Sequence, residues 1–372
     1  MGLTKIRLGD YIRRSTVNNR NLQYGEDLIV GVNNTGVFTT PKGSTNGVNL
    51  KPYKIVETGA FVYNPTRLDL GSIAYRTEGL CIVSHLYMVF YLTDEGKKII
   101  DPQWLFIYFR RNEFQREVTF RNFGSQRPEF NFEDMSDIVI LLPPIDIQQK
   151  YVAVYNAMLA NQQSYERGLE DLKLTYETLI DDYKHKAPKI SVGDILHEVD
   201  NRNTDNSITD VQGINITKQF MPSVANTTGV DLSKYKVVQK GQFAFSGMQT
   251  GRDECIRIAL LHEDTPIIIS PAYSVFEMKR EDILAEYVMM WFSRKEVDRL
   301  GWFMSDASIR TNLDMERFHE IRIPVPDLEV QKSIVDIYQV YNSRKEINEK
   351  LKTQIKDLCP ILIKGSIEEA QR

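Results

Sequence analysis

The stretch that decides the fold is Pro326–Tyr341, "PDLEVQKSIVDIYQVY", because the chain contains it twice. Read alone, it is the start of an amphipathic helix: a proline, acids that favour a helix N-terminus, then apolar residues every third or fourth place. Nearly the same text stands at Pro143–Met158, "PPIDIQQKYVAVYNAM". Working outward, the segments before the two copies match as well. "IRLGD" (Ile6–Asp10) returns as "ISVGD" (Ile190–Asp194), and "VGVNNTGVF" (Val30–Phe38) as "QGINITKQF" (Gln212–Phe220). "NLKPYKIVETGAFVY" (Asn49–Tyr63) returns as "DLSKYKVVQKGQFAF" (Asp231–Phe245), "IVSHLYMVF" (Ile82–Phe90) as "IISPAYSVF" (Ile268–Phe276), and "WLFIYFRRNEF" (Trp104–Phe114) as "YVMMWFSRKEV" (Tyr287–Val297). The offset stays between 182 and 186 residues, far beyond the roughly 20 to 50 residues of a solenoid repeat. A period of that length repeats a whole domain together with the helix behind it. The predicted layout is a first domain over 1–144, a central helix over 145–187, a second domain over 188–326, and a C-terminal helix and tail over 327–372.

Inside each repeat the apolar runs are short, β-branched or aromatic, and broken by Gly, Asn and Pro, which predicts strands joined by turns. "KIVETGAFVYN" and "KVVQKGQFAFS" read as hairpins around Glu57-Thr58-Gly59 and Gln239-Lys240-Gly241. "DPQWLFIYFRRNEFQREV" and "ILAEYVMMWFSRKEVDRL" read as the clearest helices. The fold class is therefore α+β, with two mixed α/β domains.

The long helices carry heptad seams. In the first, Ile147, Tyr151, Val154, Met158, Asn161 and Tyr165 are followed, after a stutter near Gly168, by Leu169, Leu172, Tyr176, Leu179 and Tyr183. In the second, Val330, Ile334, Ile337, Tyr341, Leu351, Ile355 and Leu358 are interrupted by the polar Arg344 and Asn348. At 1.5 Å per residue the predicted helices, Asp146–Tyr183 and Leu328–Leu358, would be roughly 57 and 46 Å long. Neither seam is satisfied alone in water, so the two are expected to pair as an antiparallel coiled coil. That pairing would relate the repeats by a pseudo-twofold axis and set two similar surfaces about 50 Å apart, on the order of one and a half turns of duplex. Helices docked separately onto their own domains are the alternative.

Composition narrows the rest. The chain has 372 residues, 42% hydrophobic and 26% charged, with a net charge of -4, which excludes a uniformly basic coat. No apolar run approaches a membrane span and the first residues lack a signal-peptide core, so the expected location is cytoplasmic. Cys81, Cys255 and Cys359 are odd in number and far apart, and read as reduced, buried thiols. Motifs for chemistry are not found. There is no phosphate-binding loop; "YNPT" (Tyr63–Thr66) lacks the second proline and aromatic of an amino-methylating motif; and the acids of "PDLEVQK" open a helix. The five histidines have no ligand spacing. Neither catalytic nor metal-binding residues are expected in this chain.

What the sequence does contain is a set of polar loops rich in Arg, Asn, Gln, Ser and Gly, the types that contact base edges and phosphates. The first repeat contributes Arg20, Asn33, Asn34, Arg67, Arg76, Arg121, Gln126 and Arg127; the second contributes Arg202, Lys218, Gln249, Arg252, Arg257, Arg310 and Asn312. Positions repeat while residues differ, as two readers of different sequences require. Double-stranded DNA is the expected ligand, and a two-headed protein-interaction scaffold is the competing class.

The duplicated layout, the junctions "ILLPPIDIQQK" (Ile140–Lys150) and "IRIPVPDLEVQK" (Ile321–Lys332), and "VETGAFVYNPTRLDLGSIAYR" (Val56–Arg76) together resemble the specificity subunits of type I restriction-modification systems, over essentially the whole chain. The resemblance implies two target-recognition domains, each reading half of a bipartite DNA site, with spacer helices measuring the gap. It also implies a subunit with no catalysis or cofactor of its own. Its partners would be two adenine methyltransferase subunits that bind S-adenosylmethionine, and restriction subunits that use ATP and Mg.

Overall fold

The computed structural model describes residues 2–41, 43–122, 129–223, 229–248, 250–306 and 311–372. They form two compact units: Met1–Glu166 with Ile347–Arg372, and Arg167–Glu346. Each unit therefore takes one half of each long helix.

The units repeat each other strand by strand. In the first, Ile12–Arg14, Met88–Leu92, Phe61–Tyr63 and Ile73–Tyr75 form an antiparallel sheet in that order. In the second, Leu196–Val199, Ser274–Met278, Phe243–Ser246 and Arg257–Leu260 do the same. A further layer in the second unit runs Phe220–Pro222, Val211–Ile214, Ile267–Ile269, Lys236–Val238, with the middle pair parallel. Its first-unit counterpart is two separate pairs, Gly31–Val32 with Phe38–Thr39 and Lys54–Val56 with Cys81–Val83, joined by a single parallel bridge from Ile29 to Ile82. Aromatic side chains fill the space between sheet and helices: Phe61, Phe90, Trp104, Phe109 and Phe114 are essentially buried in one unit, Phe243, Phe276, Tyr287, Phe292 and Phe318 in the other. All three cysteines are buried and free.

Two local expectations are corrected. Lys54–Val56 and Phe61–Tyr63 do not pair as a hairpin; the first pairs with Cys81–Val83 and the second with Ile73–Tyr75 and Met88–Leu92. The turn between them carries the chain from one sheet to the next, and Gly59 (φ 92°) and Gly241 (φ 80°) supply the positive φ it needs. Each predicted aromatic helix is broken in two, at Arg110–Arg111 (Pro102–Phe109, Asn112–Arg121) and at Ser293–Arg294 (Ala285–Phe292, Lys295–Met304). No glycine or proline marks the break. Instead Arg111 and Arg294 turn extended, and their guanidinium groups lie 3.8 Å from the Tyr108 ring centre and 4.9 Å from that of Trp291.

The junctions explain why the helices start where they do. Thr4–Arg7 pairs antiparallel with Val139–Leu142, and Lys189–Ser191 with Arg322–Pro324, so each repeat closes its ends together. Prolines then withdraw backbone donors from the ladder, and the helices Ile145–Lys186 and Leu328–Gln371 begin. A glutamine secures each start. Gln148, fully buried, donates from Nε2 to the carbonyls of Ile99 (2.8 Å) and Pro143 (2.7 Å) and accepts from the Asp101 amide (2.8 Å). Gln331 repeats this with Asp282 (2.9 Å), Pro326 (2.8 Å) and the Leu284 amide (3.0 Å).

Within each unit the helix halves run antiparallel. In the first, Tyr151 donates to Glu369 and Gln162 to Asn348; in the second, Tyr176 packs on Tyr338 and Tyr341 at 5.5 Å. The second helix extends past its predicted end, through Pro360, because Cys359, Leu362, Ile363 and Ser366 pack under the first unit's core, where the Trp104 indole donates to Ser366 Oγ. Of the predicted seam, Leu169, Tyr176, Ile334 and Ile355 are buried, while Ile147, Tyr151, Met158, Leu172, Leu179, Ile337, Tyr341, Leu351 and Leu358 are half-buried. Val154 is 48% exposed, and Val152 is inside instead. The inward stripe runs through Gln148, Val152, Gln162 and Leu169, all buried, with Tyr155 and Leu159 half-buried between them, one residue later than predicted up to Gln162 and with no stutter at Gly168. Two of its members are polar, which hid the phase.

Asn348 is 2% exposed and its Oδ1 accepts from Gln162 Nε2 at 3.0 Å. Gln162 Nε2 also donates to Glu166 at 3.0 Å, so Asn348→Leu should leave one of its two N–H groups without a partner and destabilise the first unit by about 1–3 kcal/mol. Replacing both residues by leucine should recover that loss in chemical denaturation, since a buried polar pair contributes register more than stability.

Candidate nucleic-acid interface

Three segments meet beside the sheet in each unit. In the first, the loop after Tyr63 carries Arg67 outward; its Pro65 carbonyl accepts from the Phe130 amide (3.0 Å), and a Cβ on Gly71 would lie 2.7 Å from Gln115 Nε2 on the helix Asn112–Arg121. In the second, the loop after Ser246 carries Arg252. Its Gly247 carbonyl accepts from the Leu313 amide (2.8 Å), its Gly251 amide donates to Thr311 (2.9 Å), and Gly301 of the helix Lys295–Met304 lies against Ile256. Gly247 is obligatory, because a Cβ there would sit 1.9 Å from the Leu313 oxygen. The segments so joined carry Arg67 and Arg121 in the first unit, and Arg252, Arg257 and Asn312 in the second.

Several predicted contact residues make hydrogen bonds within their own unit. Asn33 Oδ1 accepts from the Thr35 amide (2.9 Å), the Thr35 hydroxyl (2.7 Å) and the Val37 amide (3.0 Å); Asn215 does the same for Thr217 and Gln219. These are Asx turns, a local use of asparagine that sequence cannot separate from base reading. Asn34, at the tip of that turn, is exposed, and its counterpart Ile216 is 64% exposed. Arg76 donates to the Leu80 carbonyl (3.3 Å) and lies 5.3 Å from the Phe38 ring centre. Arg202 bridges Asp200 and the Lys234 carbonyl, and its hydrogen bond to Asp200 holds that carboxyl below its ordinary value. Arg257 is paired with Asp253, which Arg252 also contacts at 2.8 Å; the Arg252 hydrogen bond leads in lowering the Asp253 carboxyl. Lys218 is 8% exposed and bonded inward. Arg20, Arg67 and Arg252 are exposed, as is Arg121, which pairs with Glu117. Asn312 is half-buried, its amide donating to Asp306 (2.9 Å). Gln126, Arg127, Gln249 and Arg310 lie outside the described residues.

Some surface features escaped the sequence reading. Phe120 (80% exposed) and Phe303 (83%) occupy matched positions on the helices that border the two loops. Their signal was the aligned "REVTF" and "RLGWF", which read as ordinary amphipathic text. Arg13 and Arg14 on the sheet's outer strand line a depression of about 690 Å³ with Glu57, Tyr91 and Lys97. Among the described residues there is no cluster of side chains suited to hold a metal ion, and no helix long and apolar enough to cross a membrane.

The frame of this arrangement is shared with solved proteins. The S subunit of a type-I restriction-modification system from M. genitalium aligns over 98% of this chain and 96% of its own, at 13% identity and a TM-score of 0.58. A chain solved in a study of complex assembly and conformational transition of the type I R-M system aligns over 100% and 98%, at 15% identity and a TM-score of 0.50. The HsdS subunit from Thermoanaerobacter tengcongensis aligns over 98% and 96%, at 16% identity and a TM-score of 0.41. No curated protein matches the chain in sequence. A family model described as the type I restriction modification DNA specificity domain matches twice, over residues 5–169 and 191–357, each match covering one repeat and ending inside a long helix. With most of its length matched, in two copies that coincide with the duplication, the chain belongs to the type I restriction-modification DNA specificity family.

Proposed function

We propose that this chain is the DNA-recognition and scaffold subunit of a type I restriction-modification complex, in which each unit reads one half of a bipartite, asymmetric target. One observation carries the reading: the two units share strand order and turn-building asparagines, while matched loop positions carry different side chains. A common frame with divergent loops is what two heads of different specificity require. Arg20, Asn34, Arg67 and Arg121, with Gln126 and Arg127, are assigned to bases and phosphates of one half-site; Arg252 and Asn312, with Gln249 and Arg310, to the other. Asn33, Arg76, Arg202, Lys218 and Arg257 are assigned to the support of those loops. The paired helices set the half-site spacing and dock two adenine methyltransferase subunits. S-adenosylmethionine belongs on those subunits, ATP and Mg on restriction subunits, and catalysis on neither unit of this chain.

Footprinting of the assembled complex is expected to give two protected blocks around an unread gap, with salt-dependent affinity. Arg67→Ala should lower affinity by about tenfold, as loss of a good base contact does, and weaken one block while sparing the other. Equal protection of any duplex would instead favour the protein scaffold.

A further inference from the structure

Matched positions in the two units give different answers to one structural demand. Each unit has to hold the loop after its Phe61–Tyr63 or Phe243–Ser246 strand against the turn at 33–37 or 215–219. In the first unit Arg110, 5% exposed at the end of the helix Pro102–Phe109, directs Nη1 to the carbonyls of Asn34 (3.2 Å) and Gly71. The position matching Arg110 in the second unit is Ser293, whose hydroxyl is spent on the Met289 carbonyl (2.9 Å). There the cation comes from Lys218, whose Nζ donates to the Ile256 carbonyl (2.7 Å) and to Asp298 (2.5 Å).

Strand register shows that the two cations serve one place. Tyr63 stands opposite Ile73 and Phe245 opposite Ile258, so Gly71 and Ile256 are equivalent, each two residues before its strand partner. The position matching Lys218 is Gly36, at φ 78°, where a Cβ would lie 3.0 Å from Arg110 Nη1 and 2.9 Å from the Ile73 carbonyl. Glycine makes room for the arginine. The position matching Asp298 is Gln115. Asp298 compensates the buried lysine and also accepts from the Ile256 amide (3.0 Å), whereas Arg110, among the described residues, is met by the carbonyls of Asn34 and Gly71. Three coupled positions thus read Gly36, Arg110, Gln115 in one unit and Lys218, Ser293, Asp298 in the other. Either set puts one buried cation on the same backbone carbonyl, directly behind the loop that carries Arg67 or Arg252.

We propose that Arg110 and Lys218 are equivalent positioning residues for sequence reading: each fixes one recognition loop from behind, and neither touches DNA. The inference rests on the reading that each unit takes one half-site. Its test uses the full chain assembled with its methyltransferase and duplexes in which one half-site at a time carries single-base changes. Lys218→Met should lower discrimination about tenfold or more at the second unit's half-site and leave the other within about twofold; Arg110→Met should do the reverse. The triple exchange Lys218→Gly, Ser293→Arg, Asp298→Gln transplants the first unit's solution, and should restore folding and discrimination that Lys218→Met loses. Unchanged discrimination in the single variants, equal loss at both half-sites, or failure of the triple exchange to restore what was lost would overturn the inference. A wild-type complex without two half-sites would overturn the half-site reading itself, an outcome distinct from a bipartite wild type whose variants read normally.

Discussion

Gln331→Leu is expected to destabilise the second unit by about 3–5 kcal/mol in chemical denaturation, and Gln148→Leu the first unit by a similar amount. Each glutamine is fully buried and satisfies three backbone groups at once: the proline carbonyl before the helix, a carbonyl ahead of the aromatic helix, and the amide of the residue just before that helix. Leucine fills the volume and leaves all three without a partner. A buried group so orphaned costs about 1–3 kcal/mol, and the three are not fully additive. Against a total of roughly 5–15 kcal/mol for a domain, that loss is large. The measurement is the denaturation midpoint of each variant beside wild type. A shift equivalent to less than about 1 kcal/mol would show that the junction relaxes or admits water, and that the glutamine is not what locks the helix start.

The second large effect concerns spacing, as a consequence of the proposed ruler role. Each long helix passes from one unit to the other between residues 166 and 167, and between 346 and 347. Seven residues inserted at both points keep the heptad phase and lengthen the pair by about 10 Å. At 3.4 Å per base pair the preferred gap between half-sites should grow by about three base pairs while the half-site sequences stay the same. Selection of preferred targets by the assembled variant reads this directly. An unchanged gap would refute the ruler; changed half-site sequences would mean that the insertion disturbs the reading heads.

How much of this was legible in the sequence depends on whether a residue's surroundings are local. The duplication, the strand-rich domains and the helix starts were visible because they rest on pattern, and pattern survives when residues are replaced by similar ones. The helix seam was misphased through its first half because Gln148 and Gln162 are polar yet buried, and a count of apolar residues passes over them. Both are inside because their amides have partners brought from far along the chain: Ile99 and Asp101 for the first, Asn348 for the second. The hairpin at Gly59 failed for a related reason. Sequence shows a turn between two strands, but not whether those strands pair with each other or with two different neighbours.

The contact residues show the same limit more sharply. Arg, Asn and Lys in a polar loop look alike in sequence whether they face a ligand or tie the loop together. Asn33 spends its oxygen within four residues, Arg76 caps its own connection, and Lys218 turns inward to Ile256 and Asp298. Arg110 reads in sequence as the middle of a helix, though it ends one. The repeat itself held the missing signal: where one unit has Gly36 and the other Lys218, a lost side chain on one side had to be answered by Arg110.

The central claim, that two units of one frame read two different half-sites at a fixed separation, is tested most directly by mapping methylated bases across the genome of cells that carry this chain with the proposed methyltransferase partner. The expected result is a single asymmetric target made of two short specified blocks with an unspecified gap of constant length, and one methylated adenine in each block. A continuous target, or two blocks whose separation varies from site to site, would contradict it.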